Sequence, residues 1–231
     1  MGILLAGGFY FVVLSFLEGG FSRFLILWKT YGLDKAVPVR GAKSSPGTQA
    51  KTICKALGDT FFFARLIRTN DVLWPGEWIF HVSFVLVVLR HARFFLAPVP
   101  GCIAFLQPAG IIAGYVLPFA LIYILVVKLI IEKRYFSTYN FFLLSLIFSA
   151  SLTGILMRTL LKTDSAAAKV FILGLLGFRL QAAPGGGLFA AHFMLVLALV
   201  LYLPSHLFTA PFTLLEARAR EEELKRIIHE E

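Results

Sequence analysis

Histidine has an unusual distribution in this sequence, because four of its five copies lie in two strongly apolar stretches. The stretch EWIFHVSFVLVVLRHARF contains His81 and His91, and the stretch AHFMLVLALVLYLPSHLF contains His192 and His206. An imidazole inside an apolar segment can bind a metal, carry a proton or form a hydrogen bond across a helix bundle. The fifth histidine lies in a charged tail, so these two pairs are the candidates for chemistry.

The composition of the chain is that of a membrane protein. Its 231 residues are 58% hydrophobic and 15% charged, with a mean hydropathy of +0.82, which lies outside the range of soluble domains. A helix that crosses a hydrocarbon core of about 30 Å needs about 20 apolar residues. Five continuous stretches reach that length: 3–28, 76–96, 108–131, 140–161 and 187–209. Because apolar and polar residues do not alternate in them, we expect an all-α integral membrane protein, a five-transmembrane-helix bundle.

The segments outside these stretches are amphipathic or charged. Residues 50–74 mix phenylalanine with Lys and Arg, a pattern typical of a helix in the cytoplasmic membrane interface. A smaller segment of this kind, 166–180, is expected on the outer surface, and 210–231 is expected to be a solvated cytoplasmic helix. Glu18 and Arg23 in the first stretch favour a retained helix over a cleaved signal peptide. The sequence predicts a single membrane domain with interfacial amphipathic helices.

Lysine and arginine are unevenly distributed, and their distribution predicts the orientation of the chain. Eight of them lie between the first two stretches, and others follow the third stretch or lie in the tail. Short cytoplasmic loops are enriched in these residues, so we expect the N-terminus outside and the C-terminus in the cytoplasm. The net charge of +9 is then a signal of topology, and no nucleic-acid partner is predicted.

The predicted topology brings the four histidines together in pairs. The second and fifth predicted helices run antiparallel, so His81 is expected at the level of His206, and His91 at the level of His192. Ten residues rise about 15 Å and fourteen about 21 Å, which allows two stacked sites, one near each membrane surface. Side chains fourteen positions apart point within about 40° of the same direction around a helix, whereas side chains ten positions apart differ by about 80°. The tilt of the helices must therefore compensate for this difference if both pairs are to meet.

Two stacked pairs of imidazoles are what two b-type haems require, because each iron takes one nitrogen from each side. The neighbours of the histidines are apolar, with Ser83, and a zinc or di-iron site would need carboxylates or cysteines beside them. Cys54 and Cys102 form no CxxC or CxxCH pattern, which argues against c-type haem, iron–sulfur or structural zinc sites and predicts free thiols. A proton relay or polar packing is the alternative role of the histidines.

The combined pattern resembles a known family. Five helices, two histidines ten residues apart, two more on the fifth helix and a basic amphipathic segment resemble the dihaem cytochrome b gamma subunit of respiratory nitrate reductase. Its relatives in heterodisulfide reductase and sulfite-reductase-linked membrane complexes share this pattern, and GLLGFRL and HFMLVLALVLYLPSHLF are most similar to the heterodisulfide-reductase type. The fifth helix of the family usually ends in Pro-Phe-Ser-Lys-Leu-x-His, whereas LPSHLFTA places its histidine, His206, about one turn earlier.

The resemblance implies a function, a set of ligands and partners. His81 and His206 would hold one haem b nearer the cytoplasm, and His91 and His192 a second nearer the outer surface. The family also implies a menaquinone or other quinone site near the outer haem, and a cytoplasmic iron–sulfur partner that is heterodisulfide-reductase-like or nitrate-reductase-like. The expected role is a membrane anchor subunit, embedded in the lipid of a prokaryotic cytoplasmic (inner) membrane. It would oxidise menaquinol from the quinone pool near the outer face and pass electrons inward through both haems, with no terminal substrate site of its own.

Other polar residues near the histidines are candidates for contact with a bound group. Arg90 and Arg93 flank His91, where they could bind haem propionates or a quinone headgroup or extend into the interface. Gln107 and Tyr115 are further candidates for contact with a quinone.

Two alternative functions are compatible with the sequence: the same electron path in reverse, as a quinone reductase, or a non-redox transporter or scaffold whose histidines bind substrate or protons. The scarcity of intramembrane carboxylates and of paired broken helices argues against transport.

Overall fold

The computed structural model of the protein describes residues 1–31, 58, 61–131 and 137–203, in which helices are joined by short loops. The fold class predicted from the sequence is therefore confirmed as all-helical. The helices are α1 (Gly2–Tyr31), α2 (Ala64–Thr69), α3 (Leu73–His91, extended by a 3-10 turn at Ala92–Phe94), α4 (Gly101–Phe105), α5 (Gln107–Ile130), α6 (Thr138–Thr159), α7 (Ser165–Leu176) and α8 (Gly187–Leu203).

By length and composition, four of the described helices can cross a membrane: Gly2–Ile26, Leu73–Phe94, Gln107–Ile130 and Thr138–Thr159. They correspond to the first four predicted stretches, and the chain is a membrane protein. α8 is shorter over its described length, because the fifth predicted stretch, 187–209, continues past residue 203 and leaves the described part of the chain. The fifth crossing stays a prediction.

Contacts within the chain divide it into two units. The first consists of Met1–Val13 and Asn70–Leu199, and it contains His81, His91 and His192. All of the contacts discussed below lie within this unit.

The second unit consists of Leu14–Thr69 and Val200–Glu231, of which the structure describes only part. Phe61, Phe62 and Ile67 are exposed beside or within α2, as expected of a helix whose apolar side chains meet lipid. The interfacial position of 50–74 stays a prediction. The predicted cytoplasmic helix at 210–231 lies outside the described residues.

Local side-chain hydrogen bonds decide where the long helices begin. α3 starts at Leu73, three residues before the predicted boundary, because the Leu73 backbone N–H donates to Oδ1 of Asn70 at 2.9 Å. α6 follows Ser137, whose hydroxyl accepts from the Asn140 backbone N–H at 3.2 Å. α7 follows Asp164, whose carboxylate accepts from two backbone N–H groups of the first turn. Each side chain satisfies donors that have no partner within the helix itself.

α3 and α5 pack closely, and α6 also packs against α5. A Cβ added to Gly110 on α5 would lie 2.7 Å from Cβ of Arg90 and 3.1 Å from the Leu86 carbonyl oxygen. Only a glycine permits this approach, because both neighbouring atoms are close to the backbone of α3. Near the other end, the Tyr123 hydroxyl donates to the Val72 carbonyl at 2.7 Å. These contacts fix α3, which carries two of the histidines, against α5.

A cluster of aromatic rings fixes the start of α8. Phe171 on α7 meets Phe189 and Phe193 on α8 edge to face, with ring centres 5.9 and 5.7 Å apart. The Tyr10 hydroxyl on α1 donates to the Leu175 carbonyl on α7 at 2.9 Å. α7, expected as an amphipathic surface segment, thus has a buried face as well as an exposed one. The cluster determines the position of His192, which immediately precedes Phe193.

Candidate functional site

The structure brings His91 and His192 together. His91 is the last residue of α3, and His192 lies in the second turn of α8. The centres of their imidazole rings are 6.3 Å apart, and the planes of the rings differ by 26°. Both side chains are half-buried. The end of one helix thus meets the beginning of another, as the antiparallel arrangement of the two apolar stretches requires.

Hydrogen bonds determine which nitrogen of each imidazole carries the proton. Nδ1 of His91 lies 2.7 Å from the Val87 carbonyl oxygen, one turn earlier in α3. Nδ1 of His192 lies 3.0 Å from the Ala150 carbonyl oxygen and 3.0 Å from the Thr153 hydroxyl, both on α6. A carbonyl oxygen can only accept, so Nδ1–H is the donor in both histidines. Nε2 therefore carries the lone pair in each ring, which is the state that a metal ligand needs.

The separation of the two rings fits one metal ion between them. Two bonds of about 2 Å from imidazole nitrogens to the metal, with about 1 Å from each nitrogen to its ring centre, place the ring centres about 6 Å apart. The observed distance is 6.3 Å. The tautomers of His91 and His192 and the distance between their rings are compatible with two ligands of one metal ion.

His81 lies two to three turns earlier on α3 and has the same local arrangement. Its Nδ1–H donates to the Glu77 carbonyl at 2.7 Å, so Nε2 again carries the lone pair. The Glu77 carboxylate lies 3.8 Å from the same Nδ1 and forms an ion pair of 2.9 Å with Lys128 of α5. The predicted partner of His81, His206, lies outside the described residues, so this second pair stays a prediction.

Three arginines gather at the end of α3 beside His91. Nε of Arg90 is buried and has no hydrogen-bond partner among the described residues. Arg93 donates to Oε1 of Gln107 at 3.2 Å, and the contact of Gln107 with a quinone stays a prediction. Arg158 in the last turn of α6 is near enough to both for the charges to repel one another. Such a cluster favours an anionic group in its centre.

A cleft of about 230 Å³ opens beside this cluster. Its polar lining comes from Arg93, Lys169 and Ser165, and its apolar lining includes Phe94 and Val99. The Phe94 ring, which lines the cleft, lies beside the imidazole of His91, with the two ring centres 6.0 Å apart. Tyr115, the other residue proposed for quinone contact, does not line this cleft.

Three features of the site were missed in the sequence. Thr153 was missed although SLIFSASLTG repeats hydroxyl residues every four positions, which places them on one helix face. The ion pair between Glu77 and Lys128 and the interaction between Arg158 and Arg93 each connect two different helices. No local sequence pattern predicts either contact, because each depends on how the helices pack.

Comparison with known proteins gives relatives of one kind. The chain is 25% identical to the "Hdr-like menaquinol oxidoreductase cytochrome b-like subunit" of Archaeoglobus fulgidus, over 84% of this chain and 72% of that protein. It is 28% identical to the protein of the same name from Archaeoglobus profundus, over 69% of this chain and 56% of that protein. No protein-family model matches the chain. No solved structure matches it significantly.

The family resemblance predicted from the histidines and the helix pattern is confirmed by these relatives. The matches cover 84% and 69% of the chain. The chain is homologous to the cytochrome b-like subunits of Hdr-like menaquinol oxidoreductases.

Proposed function

We propose that this chain is the cytochrome b-like membrane subunit of a menaquinol oxidoreductase and that it holds two b-type haems. The observation that carries the proposal is the pair His91 and His192, with ring centres 6.3 Å apart and both Nδ1–H groups bound to carbonyl oxygens. The names of the two relatives support the assignment to this class of complex.

Each pair of histidines has a defined task in this proposal. Haem, when bound, supplies a one-electron carrier whose potential depends on its axial ligands and their surroundings. His91 and His192 would hold the haem nearer the outer surface, and His81 and His206 the haem nearer the cytoplasm. The carbonyls of Val87, Glu77 and Ala150 keep the ligating nitrogens unprotonated. Arg90 and Arg93, with buried or partly buried guanidinium groups, would neutralise propionates.

The cleft beside Phe94 supports a quinol site at the outer end. Arg93, Lys169 and Ser165 offer donors for a quinone oxygen, and Phe94 and Val99 offer an apolar wall for a ring. Menaquinol would be oxidised there and its protons released at the outer face. The electrons would leave on the opposite side to a cytoplasmic iron–sulfur partner of the heterodisulfide-reductase type.

The proposal includes a topology. α1, α3, α5, α6 and the complete fifth stretch, 187–209, would cross a prokaryotic cytoplasmic membrane, with the N-terminus outside and the C-terminus in the cytoplasm. The excess of Lys and Arg between the first two stretches and in the tail supports this orientation. Glu77 and Lys128 would then lie towards the cytoplasm, and the arginine cluster towards the outside.

Haem content tests the proposal directly. The purified chain should contain about two non-covalent haems b, measured as the pyridine haemochrome, because it offers two pairs of axial nitrogens. The α and Soret bands should sharpen on reduction. A content of one haem per chain would mean that only one of the two histidine pairs binds haem. A chain that binds no haem when supplied with it would refute the proposal.

Arg93→Gln should slow the reduction of the outer haem by a menaquinol analogue by about tenfold or more, because a charge-assisted hydrogen bond contributes about 1.5–3 kcal/mol. Reduction by dithionite, which needs no binding site, should be unchanged. Stopped-flow spectroscopy measures both rates. Arg179→Gln removes an exposed positive charge that does not line the cleft and serves as the matched control.

The location of the quinol site is tested by the same measurement with an inhibitor. A quinol-analogue inhibitor should change the spectrum or the potential of the haem at His91. If the inhibitor perturbs only the other haem, quinol oxidation belongs on the cytoplasmic side, and proton release at the outer face is wrong.

A further inference from the structure

The two histidines of the described pair are held in different ways. The Nδ1–H of His91 donates to a carbonyl of its own helix, one turn earlier, so α3 alone fixes the ring. The Nδ1 of His192 finds both of its partners on another helix, α6. The orientation of the His192 ring therefore depends on how α6 packs against α8.

Thr153 is the side chain through which α6 reaches the ring. Its hydroxyl lies 3.0 Å from Nδ1 of His192 and 2.9 Å from the carbonyl oxygens of Ser149 and Ala150. The hydroxyl has one proton, which a carbonyl must receive, so towards His192 it acts as the acceptor. The Nδ1–H of His192 is thus shared between the Thr153 hydroxyl and the Ala150 carbonyl.

Hydroxyl groups are linked to the backbone along this face of α6. The Ser149 hydroxyl donates to the Ser145 carbonyl at 2.8 Å, and the Thr153 hydroxyl donates to the Ser149 carbonyl one turn further on. A hydroxyl that is already bound to the backbone has little rotational freedom. Its lone pairs are therefore presented to His192 in one direction.

Gly154, the next residue, provides the space for the ring. A Cβ added at this position would lie 3.3 Å from Cε1 and 3.8 Å from Nδ1 of His192. The first distance is tighter than ordinary van der Waals contact, so any larger residue would press on the imidazole. Thr153 and Gly154 together define one orientation of the ring, by a hydrogen bond and by a steric limit.

We propose that Thr153 is a positioning residue for the axial ligand His192: its hydroxyl fixes the plane of the imidazole and strengthens the electron donation of Nε2 to the metal. The inference rests on the proposed function, because it concerns a haem held by this pair. An acceptor on Nδ1–H makes an imidazole a more basic ligand, which stabilises the oxidised iron. Thr153 would therefore lower the potential of the outer haem and leave the inner haem unchanged.

The test compares Thr153→Val, which removes the hydroxyl and keeps the shape, with Thr153→Ser, which keeps the hydroxyl. In the purified holoprotein, Thr153→Val should retain two haems but raise the potential of one of them. The reduction equilibrium should change by up to about tenfold, which is 59 mV for one electron. The largest EPR g value of the same low-spin haem should move, because it responds to the orientation of the ligand planes. Thr153→Ser should restore both values.

Thr159→Val is the matched control, since Thr159 lies on the same helix and, among the residues that the structure describes, its hydroxyl bonds only to the Ile155 carbonyl. Gly154→Ala provides a second probe that removes no hydrogen bond and should move the g value by pressing on the ring. If Thr153→Val keeps the wild-type potential and g value, or if Thr153→Ser behaves like Thr153→Val, the inference is wrong. Equal shifts of both haems would also refute it. A wild-type protein without haem would instead refute the proposed function.

Discussion

His192→Ala should leave the chain in the membrane with one haem in place of two, and His91→Ala should lose the same haem. The two rings are 6.3 Å apart and neither has a described histidine that could replace it, so the loss of either opens one side of the iron. About half of the reduced α-band absorbance should disappear in each variant. Quinol-dependent reduction should fall to the background rate, because the remaining haem lies away from the cleft.

Redox potentiometry of the variants identifies which haem is lost. His91→Ala and His192→Ala should lack the same spectral component, and His81→Ala should lack the other. His229→Ala, which changes a histidine outside the apolar stretches, should retain both. Loss of different components from His91→Ala and His192→Ala would show that the two residues do not share an iron.

Lys128→Met should destabilise the protein by on the order of 1–3 kcal/mol, because it leaves the Glu77 carboxylate without its ion-pair partner at the end of a membrane-spanning helix. A charge at the middle of a bilayer costs about 2.5–3.5 kcal/mol, and this one is partly exposed. The side chains of Lys128 and Glu77 are 20% and 16% exposed. Thermal unfolding in detergent measures the loss, and the double variant Glu77→Gln with Lys128→Met should recover most of it.

The same variants should shift the potential of the haem proposed at His81 in opposite directions. Lys128→Met leaves a negative charge close to His81 and should lower the potential, whereas Glu77→Gln leaves a positive charge and should raise it. The double variant should lie near the wild type. Shifts of the same sign in both single variants would mean that the changes act through packing and not through charge.

The amino-acid sequence predicts the helices well because the length of an apolar run is set by the thickness of a bilayer. It misplaces their ends, because a single side chain such as Asn70 or Ser137 can start a helix two or three residues before the apolar run. The order of the helices places His91 and His192 at the same level, and packing brings their rings to 6.3 Å. Thr153 and Gly154 could not be assigned to this pair, because their contacts depend on the rotation of α6 about its own axis. That rotation is decided by the packing of the whole bundle.

The change from α-helix to 3-10 helix at the end of α3 determines which side chain lies beside His91. In an α-helix a residue three positions on points about 60° away from the first, but in a 3-10 helix the two side chains lie on the same side. The 3-10 turn at Ala92–Phe94 therefore brings the Phe94 ring beside His91, where it forms a wall of the cleft. A molecule in that cleft would contact the aromatic ring that lies beside the imidazole. If the cleft holds the quinol proposed above, the Phe94 ring would adjoin both the quinol and the imidazole of His91.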